Sequence, residues 1–314
     1  MELTDVTSCA QKIIESIETV IVGKRESVEL TVAGFLSGGH ILIEDIPGVG
    51  KTMLAKTLAK SVGGTFKRVQ FTPDLLPADV TGSSVFNQVE GNFIFREGPV
   101  FANVLLADEI NRATPKSQAA MLEAMEEFQV TADGVTYELP KPFFVMATEN
   151  PIEYEGTYSL PEAQLDRFIL RVSLGYPGAK DEVEILTRQM MHHPVEDVTM
   201  VLEEGDALKM QMAVRRVFLE ESLKDYMVQI VGNTRDHPDL ELGASPRGSL
   251  ALMRCSQAIA AIDGRDYVRP DDIKRVAVEA LAHRLIVKSE QSIHGLRAEE
   301  VVQEILRSVP APTG

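Results

Sequence analysis

Residues His40 to Ala59 read HILIEDIPGVGKTMLAKTLA. The stretch opens on an apolar, β-branched run, His40 to Glu44, set between Gly38-Gly39 and a glycine-rich turn, as a short buried strand of a parallel sheet should be. Pro47-Gly48-Val49-Gly50-Lys51-Thr52 follows, and Met53, Leu54, Ala55, Leu58 and Ala59 then recur at helical spacing. Strand, glycine-rich turn and helix in that order form the context of a phosphate-binding loop. Small residues let several backbone N–H groups converge on phosphate oxygens, and the helix N-terminus adds a favourable dipole. Lys51 would reach the β- and γ-phosphates, and Thr52 would place its hydroxyl on Mg²⁺. The strict pattern G-x-x-x-x-G-K-[ST] asks for glycine at 45, where this chain has Asp. Asp tolerates left-handed backbone angles better than most residues, which makes the departure a mild one. The competing reading is a glycine-rich turn before a helix with no ligand.

Outward from this stretch, helical and strand patterns alternate, the sign of stacked βα units. Residues 10 to 36 read as helix, with a break at Val22-Gly23-Lys24. Further strands are expected at Phe66 to Phe71, Asn103 to Asp108, Phe143 to Thr148 and Phe168 to Leu174, with helices near 53–61 and 115–127. This predicts an α/β fold with a five-stranded parallel sheet. Residues 85–95 (VFNQVEGNFIF) and 130–139 (VTADGVTYEL) carry turn residues between alternating apolar runs and read as β-hairpins. After Tyr176-Pro177-Gly178 the pattern becomes helical alone, at 181–191, 206–217, 221–235, 246–262, 270–286 and 297–307. A boundary there divides the 314 residues into 1–176 and 177–314.

The charge balance, 31 Lys and Arg against 47 Asp and Glu for a net −16, disfavours a general binder of nucleic acid or anionic membrane. No apolar stretch is long enough for a membrane span, and the acidic, amphipathic start lacks the form of a signal peptide, so a cytoplasmic protein is expected. Cys9 and Cys255 lie far apart with no ligand-spaced neighbours and read as buried small apolar residues. His192-His193 reads as a capped helix end rather than a metal site.

Val104-Leu105-Leu106-Ala107-Asp108-Glu109 is an apolar strand ending in two carboxylates. Asp108 can hold a hydrated metal and Glu109 can polarise an attacking water. Alone, such a pair is as often a solvated helix cap; combined with the phosphate loop it predicts ATP hydrolysis. Asn150, closing Ala147-Thr148-Glu149-Asn150-Pro151, could orient water near the γ-phosphate, or simply form a turn before proline. Arg167 and Arg247 are isolated arginines at element boundaries, which spacing alone assigns to surface ion pairs.

Together these residues resemble the AAA+ ATPase superfamily, and residues 98–134 (GPVFANVLLADEINRATPKSQAAMLEAMEEFQVTADG) and 147–168 (ATENPIEYEGTYSLPEAQLDRF) are similar to its MoxR family. The similarity runs from about Val20 to Val287. It implies an AAA+ core with a helical lid, the hairpins being the helix-2 insert and the pre-sensor-1 insert. It implies ATP and Mg²⁺ as ligands, held by Val22 and Gly23 on the adenine side and by the loop Asp45, Ile46, Pro47, Gly48, Val49, Gly50, Lys51, Thr52 and Met53, with Thr52 and Asp108 on the metal. The family accepts an acidic residue at 45, whereas Lys24 stands where relatives commonly have Gln. Asn150 would be sensor 1, Arg167 an arginine finger acting on a neighbouring subunit, and Arg247 sensor 2. The resemblance further implies a homo-oligomeric ring, usually a hexamer, that remodels or matures partner proteins, often beside a von Willebrand factor A-type protein and in some cases for metal insertion. Phe86, Phe93 and Phe95 are then candidate contacts, against the plainer reading that they pack the hairpin. By placement, Gln70 is a candidate restraint on Glu109.

The alternatives are a magnesium-chelatase-like ATPase subunit, a nucleic-acid motor and a nucleotide-gated scaffold. The second is disfavoured because neither 85–95 nor 130–139 contains Lys or Arg. With no recognition domain visible in the chain, client choice is expected on the ring surface or in another protein.

Overall fold

The computed structural model describes residues 1–151, 157–190, 192–203 and 205–312. Part of the 147–168 block, residues 152–156, lies outside them, as does position 191 at the end of the expected 181–191 helix.

Five parallel strands form one sheet: β1 (His40–Glu44), β2 (Phe66–Gln70), β5 (Val104–Asp108), β8 (Phe144–Glu149) and β9 (Phe168–Val172), in spatial order β2-β5-β8-β1-β9. The three central strands are almost wholly buried apolar runs, as a sheet covered on both faces requires. β2, at the edge, carries exposed Arg68 and Gln70.

Alternation along the strands sorts their side chains between two cores. Ile41, Ile43, Val104, Leu106 and Met146 pack with the helices Leu3–Glu18, Arg25–Leu36 and Lys51–Ser61. Leu42, Leu105, Ala107, Val145 and Ala147 face the opposite way, toward Met121, Leu122 and Met125 of the helix Pro115–Glu127. The helix Pro246–Ile262 packs on Arg25–Leu36, Leu3–Glu18 and Pro270–Leu281, so the first core continues into the C-terminal helices.

The helix Pro270–Leu281 shows how sequence builds this layer. Pro270 sits in its first turn with Asp271 and Asp272, and Ile273, Val276, Ala277, Ala280 and Leu281 form one buried face. The C-terminal part is not helical alone: Leu240–Leu242 pairs antiparallel with Ile286–Val287, which ends the expected 270–286 helix early. Cys255 is buried, whereas Cys9 is only partly so.

Both hairpins form. β3 (Gly82–Asn87) pairs with β4 (Asn92–Glu97), and β6 (Gln129–Ala132) with β7 (Val135–Glu138). Phe95 stacks on Tyr137 with ring centroids 4.0 Å apart, which joins the two hairpins. Phe86 and Phe93 pair across the first hairpin at 5.2 Å, yet remain 51% and 71% exposed, so packing accounts for Phe95 but only partly for them. The first hairpin also runs beyond residue 95 and includes the exposed Arg96, a cation that the narrower span leaves out.

Candidate functional site

All five strands are parallel, so their C-terminal ends share one edge of the sheet. There the turn after β1 meets the ends of β2, β5 and β8, and Gly48, Lys51, Thr52, Gln70, Asp108, Glu109 and Asn150 line one cleft. Gly48 and Gly50 have φ of 86° and 100°, and a Cβ at Gly48 would meet nothing within 4 Å, leaving room for a ligand against the backbone. Gly50 caps the helix that begins at Lys51. Lys51 Nζ donates to the Asp45 carbonyl at 2.7 Å, and burial pulls its pKa down against the pull of Asp108, Asp45 and Glu109. A phosphate beside it would favour the charged form.

Asp108 Oδ1 accepts from Thr148 Oγ at 2.7 Å, and its Oδ2 from Arg68 at 2.6 and 3.0 Å. The Thr148 hydroxyl in turn accepts from Glu109 N–H at 2.8 Å, so one residue of β8 seats both carboxylate residues. Glu109 is held at φ 55°, a left-handed conformation that a residue with a side chain rarely adopts and that marks functional sites. Its Oε2 accepts from Gln70 Nε2 at 2.6 Å and from Arg112 at 3.0 Å. The expected contact between Gln70 and Glu109 is therefore present. Thr52 and Asp108 bring a hydroxyl and a carboxylate to the same cleft, hard oxygen donors that suit Mg²⁺ together with phosphate and water.

Asp45 departs from the expected role. Its side chain turns away from the cleft: Oδ2 accepts from Leu174 N–H at 2.6 Å, Gly175 N–H at 2.7 Å and Ser173 Oγ at 3.2 Å, while Oδ1 accepts from Ile46 N–H at 2.9 Å. Its φ is not left-handed, so no glycine is needed there. The carboxylate anchors the loop to the segment after β9, and only the Asp45 carbonyl faces Lys51. Pro47 and Met53 line the cleft; Ile46 lies by the neighbouring surface beside Asp45 and Arg171, and Val49 packs against the first core. Gly23, at φ 73°, lies under Asp181 of the helix Ala179–Gln189, where a Cβ would approach the Asp181 carboxyl carbon to 2.3 Å. Lys24 Nζ donates to the Tyr176 carbonyl at 2.6 Å, so the Val22-Gly23 turn is backed by the segment around Tyr176 and Asp181.

Arg167 and Arg247 are not in this cleft. Arg167 precedes β9, and it lines a second cleft with Gly39 and His40 at the start of β1. That cleft is at the N-terminal edge, the length of a five-residue strand from the phosphate loop, about 17 Å. Arg167 Nη2 pairs with Glu126 Oε2 at 3.0 Å, and Arg247 Nη2 pairs with the other oxygen, Oε1. His40 supports the end of the helix bearing Glu126: its Nε2 bonds the Met125 carbonyl at 3.0 Å and its Nδ1 accepts from Val145 N–H at 3.0 Å. Burial pulls its imidazole to about 4, which keeps it neutral.

Comparison with known proteins fits this arrangement. Residues 40–170 match the family described as "ATPase family associated with various cellular activities (AAA)", and residues 232–305 match an AAA lid domain. The uncharacterised protein YeaC of Bacillus subtilis is 52% identical, covering 96% of this chain and 94% of its own. Chaperone MoxR1 of Mycobacterium tuberculosis is 42% identical, covering 96% of this chain and 82% of its own. The chain belongs to the MoxR family of AAA+ ATPases. A crystal structure of a Cytophaga hutchinsonii protein superposes on this MoxR-family chain with a TM-score of 0.92 at 38% identity, covering 99% of this chain and 97% of the other.

Several residues of the two clefts have no signature in the sequence of this MoxR-family member. Arg68 could have been found from the two-residue strand period, which puts it on the face of Gln70. Glu126 and Thr148 acquire meaning only once the sheet brings them to their partners. His192 pairs with Asp197 and His193 caps the turn Pro194–Glu196.

Proposed function

We propose that this protein hydrolyses ATP with Mg²⁺ at sites completed by a second copy of the chain, in a ring of hexameric type, and uses the cycle to remodel or mature other proteins. The observation that carries the reading is the separation of the two clefts: phosphate loop, carboxylates and Asn150 at one edge of the sheet, Arg167 and Arg247 together at the other. Neither arginine reaches the phosphate loop of its own chain across a strand's length, so both would serve a neighbour. On this view Arg247, like Arg167, acts in trans.

In the proposed reaction the loop N–H groups and Lys51 hold the phosphates, and the Val22-Gly23 turn receives the adenine side. Thr52 and Asp108 would hold Mg²⁺, which supplies neutralisation of phosphate charge. Glu109 takes a proton from water as the water oxygen bonds the γ-phosphorus and the bond from that phosphorus to the bridging oxygen breaks, leaving ADP and phosphate; Asn150 orients that water. Arg167 of the second copy balances the charge on the transferring group, a contribution of about 10³ to 10⁵ in rate where such fingers act. Gln70, bonded to Glu109, restrains the base until the site is assembled.

The remodelling role draws on Chaperone MoxR1, whose name says it is a chaperone. A von Willebrand factor A-type partner, metal insertion as one outcome and a cytoplasmic location complete the reading; none of the described helices is long and apolar enough to cross a membrane. The test is ATP turnover against protein concentration for wild type, Glu109→Gln, Arg167→Ala and an equimolar mixture of the two variants. Shared sites predict specific activity that rises with concentration, two inactive variants and partial recovery on mixing. A flat concentration dependence with an active Arg167→Ala chain would sink the proposal.

A further inference from the structure

Asp166, immediately before Arg167, is gripped from two sides by the C-terminal helices. Arg284 Nε donates to Asp166 Oδ1 at 2.9 Å, and its Nη2 donates to the carbonyls of Phe168 at 2.7 Å and of Asp166 at 3.2 Å. Its Nη1 bonds the Ala280 carbonyl. One guanidinium thus holds the backbone on both sides of Arg167. The other carboxylate oxygen, Asp166 Oδ2, accepts from Ser245 Oγ at 2.9 Å, and the same hydroxyl accepts from Arg247 N–H at 3.0 Å as the N-cap of the helix Pro246–Ile262.

The Arg284 side chain is only 3% exposed. A buried cation gives up most of its hydration and is retained only where its partners are well placed. Apolar packing already joins the C-terminal helices to the rest of the molecule, so adhesion alone does not account for an ion pair at this position. What distinguishes the pair is its placement: through its backbone Asp166 leads to Arg167, and through Ser245 it leads to Arg247. The two arginines then converge on Glu126.

We infer that Asp166, held by Arg284 and Ser245, is a positioning residue that sets Arg167 and Arg247 as a pair for the phosphates bound by a second copy of the chain. The inference rests on the shared-site reading above. A guanidinium displaced by an ångström loses about a hundredfold of its effect on rate, so the clamp has ample leverage.

Mixtures of full-length chains separate positioning from folding. In the reference mixture, Glu109→Gln chains supply arginines and Arg167→Ala chains supply competent clefts. Adding Asp166→Asn to the arginine donor should cut the recovered turnover by at least about tenfold without moving KM for ATP, because the ATP lies in the other chain. Adding it instead to the cleft donor, whose own finger is already removed, should change turnover by less than about twofold. Because Asp166→Asn leaves Arg284 without its counter-charge, Ser245→Ala in the same two placements provides a milder variant, with the same asymmetry expected and recovery by Ser245→Thr, which keeps the hydroxyl. Equal losses in both placements, or no loss in either, would overturn the clamp while leaving shared sites intact. No recovery in the reference mixture would overturn both.

Discussion

At the C-terminal edge of the sheet the groups of the cleft come from β2, from the ends of β5 and β8 with the residues just beyond them, and from the turn after β1 with the first residues of the helix it opens. At the N-terminal edge Glu126, Arg167, Arg247 and Arg284 arrive from four separate elements. The first edge is assembled by local chain geometry, since a buried strand that stops at a polar residue delivers that residue to the rim. The second depends on how the C-terminal helices pack. Chemistry at the first should therefore survive changes that misalign the second.

The largest effect should come from setting the two edges against each other. Arg167→Ala is expected to lower turnover by about 10³ to 10⁵ while leaving nucleotide affinity of the isolated chain unchanged. Lys51→Ala should remove nucleotide binding itself. Titration with a fluorescent ADP checks both, and a loss of affinity in Arg167→Ala would erase the distinction between the edges.

Asp45 offers a test within the first edge. Asp45→Gly, which restores the strict phosphate-loop pattern, should lower stability by about 2 to 4 kcal/mol, because the buried Leu174 N–H and the partly buried Ile46 and Gly175 N–H groups lose their acceptor. Urea denaturation measures this, and an unchanged midpoint would show that the anchor contributes nothing.

A smaller, pH-dependent effect is expected at Glu149. Burial, reinforced by Glu44, raises its carboxyl from 4.5 to about 7, with Arg171 opposing. The folded state then binds a proton that the unfolded state releases, so stability falls as pH rises from about 4.5 to 7. Glu149→Gln should flatten that part of the curve and leave the variant more stable at pH 8, by at most about 3 kcal/mol. Thermal unfolding across pH reads it; parallel curves for the two proteins would refute it. Last, Gln70→Ala frees one of the hydrogen bonds to Glu109 and should raise basal turnover by about threefold to tenfold. Unchanged basal and partner-stimulated rates would remove Gln70 from the control of Glu109.

The sequence made the first edge legible because its signals are contiguous: HILIE stops where PGVGKT begins, and VLLAD stops at the carboxylates. The contact of Gln70 with Glu109 is legible from placement, since each lies at the end of an expected strand and the two strands pair. Asp45 lies in the loop the sequence indicates, but nothing local reveals that its carboxylate binds the N–H groups of Leu174 and Gly175. Asp166 and Arg284 are separated by more than a hundred residues and look like ordinary surface charges until the helices bring them together. The ribbon of Leu240–Leu242 with Ile286–Val287 has no signature in the sequence, because strands so short carry no periodicity.

The opposition of the two edges also constrains symmetry. In a twofold dimer residue i of one copy meets residue j of the other and j meets i, so such a dimer would fill both clefts only if the two edges belonged to one surface patch. Joining one edge to the other is instead a heterologous, head-to-tail contact, which closes into a cycle or propagates as a filament. An open chain of such contacts always ends in one cleft without arginines and one arginine pair without a cleft, and only closure removes both ends. Catalytic output per chain would then report topology: partial in open assemblies of any length, and complete only when the circle is shut.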